Sequence, residues 1–116
     1  MGTLVVYEKP TCTTCRKLRD LLDARGVAYE SIDYHVNGIE EHELRGLLRR
    51  AGCRPRDLLR TRESLVAELG LDEDGVSDDE LIAQMCANPV LLQRPIVVRG
   101  ERAVLARPIE RALELL

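Results

Sequence analysis

A short apolar run, Leu4-Val5-Val6-Tyr7, leads through Glu8 into the turn Lys9-Pro10-Thr11-Cys12-Thr13-Thr14-Cys15-Arg16. Beyond the turn, Leu18, Leu21 and Leu22 share one face of a helical pattern. A buried strand that passes straight into an amphipathic helix is the opening of a βαβ unit. Thr11 is placed to cap a helix over 12–25, its hydroxyl accepting from the amide of Thr13 or Thr14. Cys12 then falls in the first turn, where free amides and the helix dipole stabilise an anion. Cys15 follows three residues later on the same face, within reach of a disulfide with Cys12. The helix terminus and the Cys-x-x-Cys spacing both lower a thiol pKa, and Lys9 and Arg16 stand alongside. Cysteine also serves as a small core residue, but a surface turn with two cations argues against that use here. A redox or nucleophilic pair is the expectation, since Cys-x-x-Cys near a βαβ pattern is a thioredoxin-like signal.

Strand 3–7 and helix 12–25, stopped at Gly26, are followed by strand 28–33. Length and order fit parallel strands with a right-handed crossover. Asn37-Gly38 marks a turn. From residue 39 the pattern is helical. Ile39, Leu44, Leu47 and Leu48 give one helix ending near Gly52. Pro55 opens a short one with Leu58 and Leu59. Leu65, Val66 and Leu69 give another, closed by Gly70. Ser77-Asp78-Asp79-Glu80 is a capping box for a helix that Asn88-Pro89 stops. The acidic run from Asp72 to Asp79 is the loop and helix start. Strand 95–99 turns at Gly100-Glu101, a type II′ signal, into strand 102–105. Pro108 suits the first position of a last helix, with Glu110 in its first turn and Ile109, Ala112, Leu113 and Leu116 as its apolar stripe. The order β-α-β, helices, β-β-α predicts an α/β, thioredoxin-like fold. One domain spans 1–116, with a helical insertion over 39–93. In that fold a cis-proline at the start of the third strand faces the reactive cysteine, and Pro95 stands there; either isomer is open to an X-Pro bond.

Composition narrows the function. The chain has 116 residues, enough for one real core, and no Phe or Trp, so that core is aliphatic. A net charge of -3 disfavours nucleic acid as a partner. No apolar run approaches the roughly 20 residues of a membrane span, and no signal-peptide pattern opens the chain, so a cytoplasmic protein is expected. Four cysteines in such a setting point to catalysis or metal rather than a disulfide framework. One Cys-x-x-Cys falls short of a paired zinc site, and His35 and His42 lack metal spacing, so no metal is expected. Cys86 is expected in the core and Cys53, after Gly52, in an exposed turn. His35 and His42 are expected at the surface, as are Arg49, Arg50, Arg54, Arg56, Arg62 and Arg102.

Several stretches carry a family resemblance across nearly the whole chain. They are Tyr7-x-x-Pro10-x-Cys12, Arg60 in Leu58-Leu59-Arg60-Thr61, Asn88-Pro89-x-Leu91-Leu92-x-Arg94-Pro95-Ile96-Val97-Val98, and Arg107-Pro108. The sequence resembles the arsenate reductases of the thioredoxin-fold, glutaredoxin-linked type, which share their architecture with Spx-type transcriptional regulators. The Asn-Pro…Arg-Pro-Ile stretch is common to both branches; Cys12 with Arg60 and Arg107 is the more specific signal for the enzymes. The resemblance implies that Cys12 is the nucleophile and that Arg60, Arg94 and Arg107 hold the oxyanion. Two positions depart from the pattern: Glu8-Lys9 replaces His-Asn after the tyrosine, and Cys15 stands where many relatives have Ser. The lost histidine leaves thiol activation to the helix terminus, Lys9 and the arginines.

Arsenate is a tetrahedral, multiply charged oxyanion, and arginine binds such groups best because its planar fork pairs two oxygens. The expected reaction is reduction of arsenate to arsenite through a Cys12 thioarsenate and thiol–disulfide exchange. The resolving thiol is glutathione, Cys15 or Cys53, and the external donor is a glutaredoxin or thioredoxin system, with no bound cofactor. A monomer is expected. The alternative is an Spx-type redox switch on RNA polymerase, with Cys12–Cys15 oxidation as the signal.

Overall fold

The computed structural model describes residues 3–116, in two compact units. The first unit, residues 3–37 and 94–116 of those described, holds the sheet. Its strands are β1 (Leu4–Glu8), β2 (Tyr29–Asp33), β3 (Ile96–Arg99) and β4 (Arg102–Leu105), in the order β2-β1-β3-β4. β1 and β2 are parallel; β1–β3 and β3–β4 are antiparallel. Helix α1 (Thr13–Ala24) joins the parallel pair, which makes the expected βαβ crossover. The mixed sheet and its order are those of a thioredoxin-like fold.

Cross-strand register aligns Val6, Val97 and Val104 in one row. That row, with Leu4, is buried against Leu18 and Leu22 of α1 and against Ala106, Ala112 and Leu115. Branched and unbranched aliphatics fill the space that no Phe or Trp occupies. Helix α1 closes with Gly26 at φ 67°: its amide donates to the Asp23 carbonyl at 3.0 Å, and the Val27 amide donates to Leu22 at 3.0 Å. This is a Schellman closure, and glycine adopts the left-handed conformation it needs without a Cβ penalty.

A short helix α2 (Tyr34–Asn37), absent from the sequence reading, follows β2 directly. The Asp33 carboxylate starts it by accepting from the amides of His35 and Val36. His35, expected at the surface, is half-buried with its ring centroid 4.6 Å from that of Tyr34.

The second unit, Gly38–Gln93, holds α3 (Glu41–Ala51), α4 (Ser64–Glu68) and α5 (Asp78–Ala87), with 3-10 turns at Pro55–Leu58 and Pro89–Leu91. Ser77 caps α5 by accepting from the Glu80 amide at 3.1 Å. Cys53 and Cys86 are both half-buried. Arg56, expected at the surface, is half-buried and donates to the carbonyls of Leu71 and Glu73, so it ties down a turn.

The last element differs from expectation. Ile109–Leu115 is a 3-10 helix, and Pro108 is its N-cap rather than its first residue. With three residues per turn the inward positions recur as 109, 112 and 115. Leu115 is therefore buried, while Leu116 is 46% exposed. Leu115→Ala should cost about 2–4 kcal/mol in a urea melt and Leu116→Ala within about 0.5 kcal/mol. Equal costs would mean the helix has the α period instead.

Candidate active site

The turn after β1 folds back on itself before α1 begins. The Cys12 amide donates to the Lys9 carbonyl at 2.9 Å, and the Cys12 carbonyl accepts from the Arg16 amide at 3.0 Å. Cys12 has extended backbone angles, φ −75° and ψ 128°, so Cys12, and not Thr11, is the N-cap of α1. The expected hydroxyl cap is absent, and the Cys12 side chain closes no cap hydrogen bond. Its position nevertheless lies beside the free amides of the first turn, where an anion gains most.

Half-burial pushes the Cys12 thiol up. Hydrogen bonds from the Cys15 amide, the Cys15 thiol, the Arg94 guanidinium and the Thr14 amide outweigh that and bring it down to about 7. The side chains of Lys9 and Arg16, credited from sequence with activating the thiol, are not among these leading influences; the cation that acts is Arg94. Lys9 contributes through its backbone, donating its amide to the Cys15 sulfur. Cys15 is 1% exposed, and burial, with further opposition from Cys12 and from the charge of Glu8, pushes it up to about 12.

Arg94 is 5% exposed and precedes Pro95 at the entry to β3. The Arg94–Pro95 and Arg107–Pro108 peptide bonds are both cis. Burial disfavours the Arg94 charge, but contacts with the Cys12 sulfur and with Tyr34 offset this and raise its pKa. Its Nε and Nη1 are buried without a protein partner. Two buried donors on a guanidinium beside a thiolate form an anion-binding feature, because leaving them unpaired costs desolvation energy that an oxyanion would return. The Arg107 Nε donates to the Arg94 carbonyl at 2.6 Å, which fixes the second arginine to the same segment. The structure thus brings Cys12, Cys15, Arg94 and Arg107 into one unit. Arg60 belongs to the helical unit, where its guanidinium donates to the Glu63 carboxylate at 3.0 Å and to Gln93 at 3.2 Å. Among the described residues no group of three or more His, Cys, Asp or Glu side chains is gathered as a metal would require. No helix among them is long and apolar enough to cross a membrane.

The ArsC family model matches residues 7–115, which includes Cys12, Cys15 and all three arginines. The chain belongs to the ArsC family. It is 38% identical over 113 residues to Arsenate reductase ArsI2 of Synechocystis sp., covering 97% of this chain and 81% of that protein. It is 32% identical over 111 residues to an arsenate reductase of Neisseria meningitidis, covering 95% of each. Among solved structures, an arsenate reductase from Vibrio cholerae matches with a TM-score of 0.94 at 36% identity, over 99% of this chain and 98% of that one.

Within this ArsC-family site the sequence reading missed the environment of Glu8. It is 4% exposed, on the inward face of β1. Period-two alternation from Leu4 and Val6 was the available signal. Burial raises its pKa, with the Ser31 hydroxyl and the Arg19 charge opposing and Asp33 adding to the rise.

Two measurements follow from these protonation states. Alkylation of Cys12 against pH should show a midpoint near 7, moved upward in Arg94→Ala. A midpoint unchanged in that variant would remove the guanidinium from thiol activation. The folded-state pKa of Glu8 lies above its unfolded value, so the native state holds the proton more tightly over that interval. Stability from this group is full below the unfolded pKa and falls as pH rises through the folded one. The gain in thermal stability of Glu8→Gln over the wild type should therefore grow from pH 4 to pH 7; a gain that shrinks would contradict the burial of a charged carboxylate.

Proposed function

We propose that this chain reduces arsenate to arsenite, with Cys12 as nucleophile and Arg94 and Arg107 as its oxyanion holders. The observation that carries the reading is the pairing of a thiol tuned to about 7 with a buried arginine that has two unpartnered donors. The names of the relatives favour arsenate as the anion and an enzyme over a regulator.

The Cys12 thiolate attacks arsenic and forms an S–As bond, and an oxygen leaves as water once protonated. Arg94 spreads the charge that develops on the remaining oxygens, and its buried position makes that contact stronger than it would be in water. A second thiolate then attacks the Cys12 sulfur. An S–S bond forms, the S–As bond breaks, and its electron pair stays on arsenic, which falls from As(V) to As(III) and leaves as arsenite. We assign the second thiol to Cys15, which the fold holds against the Cys12 sulfur from the next turn of α1. A glutaredoxin or thioredoxin system would reduce the disulfide. Arg60 enters through the family pattern, and its contacts with Glu63 and Gln93 hold the guanidinium in one orientation.

Arsenate-dependent NADPH oxidation with reconstituted thioredoxin or glutaredoxin systems tests the reading, and the system that supports turnover names the donor. Arg94→Ala and Arg107→Ala should each lose about one to two decades in kcat/KM, the cost of about 1.5–3 kcal/mol for a charge-assisted hydrogen bond. An enzyme that is inactive with both donor systems, while Cys12 still alkylates at neutral pH, would sink the arsenate assignment.

A further inference from the structure

The resolving step needs a thiolate from Cys15, yet Cys15 is a sequestered thiol. It is 1% exposed, its sulfur is held by the Lys9 amide, and Cys12 stands over it. Burial leaves little direct access for water, so a neighbouring protein group is well placed to take its proton. The groups around it in the first unit identify the acceptor.

On β1 the residues facing α1 alternate as Leu4, Val6 and Glu8, all buried. On α1 the residues facing the sheet are Cys15, Leu18 and Leu22, also buried. The helix returns between parallel strands and so runs opposite to β1. The two rows therefore meet with Leu4 and Val6 against Leu22 and Leu18, and with Glu8 at the level of Cys15. β1 ends at Glu8 and α1 opens at Thr13, so the last inward residue of the strand meets the first inward residue of the helix. One end of an aliphatic interface thus carries a carboxyl and a thiol.

We propose that Glu8 is the proton acceptor for Cys15, taking the thiol proton as the Cys15 sulfur attacks the Cys12 sulfur. The proposal rests on Cys15 being the resolving thiol. The Cys15 S–H bond breaks and its proton passes to the Glu8 carboxylate. The Cys15–Cys12 bond forms, and the arsenic–sulfur bond breaks with its pair on arsenic. Glu8 then gives the proton to solvent, or to an oxygen of the departing arsenite.

The surroundings suit the role. A carboxylate buried at this depth costs folding free energy unless it is fully paired. Its partners are the Ser31 hydroxyl and the charge of Arg19, and they fall short of offsetting burial. The titratable and charged groups that act on it are Cys15 and Arg19 from α1, and Tyr29 and Asp33 from β2. From β3, the other neighbour of β1, Ile96, Val97 and Val98 pair with it, and none titrates. Burial therefore raises the proton affinity of Glu8 above that of an ordinary carboxylate, in the direction that suits a base.

The test uses the full chain with Cys53→Ser and Cys86→Ser, so that only the two active-site thiols report. Ellman's reagent converts Cys12 to a mixed disulfide and releases one thionitrobenzoate. Attack by Cys15 on the Cys12 sulfur then releases a second, without arsenate and without another thiol. The second release is followed by stopped flow from pH 5 to pH 10. Glu8→Gln should slow it about 100-fold at pH 7 and abolish the inflection at the carboxyl, leaving a rate that climbs with hydroxide. Glu8→Asp should restore part of the rate and the inflection, which repair of a purely structural defect would not. Glu8→Gln that is as fast as the wild type or faster, with the same profile, would overturn the proposal: the carboxylate would then only oppose the Cys15 charge. Cys15→Ser that releases the second thionitrobenzoate at the wild-type rate would show that Cys15 does not resolve Cys12, and would overturn both readings.

Discussion

The placement of a thiol at the N-terminus of α1 is the constraint on which the site depends. The start of any helix leaves amides without partners, and a serine, threonine or aspartate side chain ordinarily meets them. Here the N-cap residue is Cys12, whose side chain closes no cap hydrogen bond, while the amides of Cys15 and Thr14 help to lower its thiol pKa. The free amides of the first turn favour the anion over the neutral thiol. A free thiol near its ordinary pKa would be almost wholly protonated at neutral pH. Cys12 is poised to react there.

The start of α1 is held in place by aliphatic packing and backbone geometry. The row Val6, Val97 and Val104 anchors α1 through Leu18 and Leu22. The same sheet carries Arg94 into β3 and Arg107 out of β4, tied by the bond from Arg107 Nε to the Arg94 carbonyl. Cys12, Arg94 and Arg107 thus lie in short segments that adjoin α1, β3 and β4, whose relative placement strand pairing fixes. Preorganisation of this kind is what makes a donor worth more to the transition state than to a solvated ion.

The strand and helix order was legible because apolar runs, capping boxes and glycine stops are local signals. Gly26, Ser77 and Pro55 act in the structure as their sequence context implies. What escaped the sequence reading has a common cause, namely geometry finer than residue type. Thr11 is the better capping residue by chemistry, but the Lys9–Cys12 turn delivers Cys12 to the position instead. The last helix carries an apolar pattern compatible with both 3-10 and α periods, and only packing of Leu115 over Leu116 separates them. The family resemblance and the place before Pro95 single out Arg94, but its burial and unpartnered donors are visible only in the structure. Glu8 reads as a solvated charge until the alternation of β1 turns it inward.

The most direct test of the account is to trap its covalent intermediate. Cys15→Ser protein would be mixed with arsenate, without glutathione, acid-quenched within a second, and analysed by intact mass and peptide mapping. The account predicts an arsenic adduct on the peptide that contains Cys12, its yield rising with pH through about 7 as the thiolate forms. An adduct confined to Cys53 or Cys86, or none at any pH while Cys12 still alkylates, would contradict the claim that the Cys12 thiolate at the start of α1 is the nucleophile.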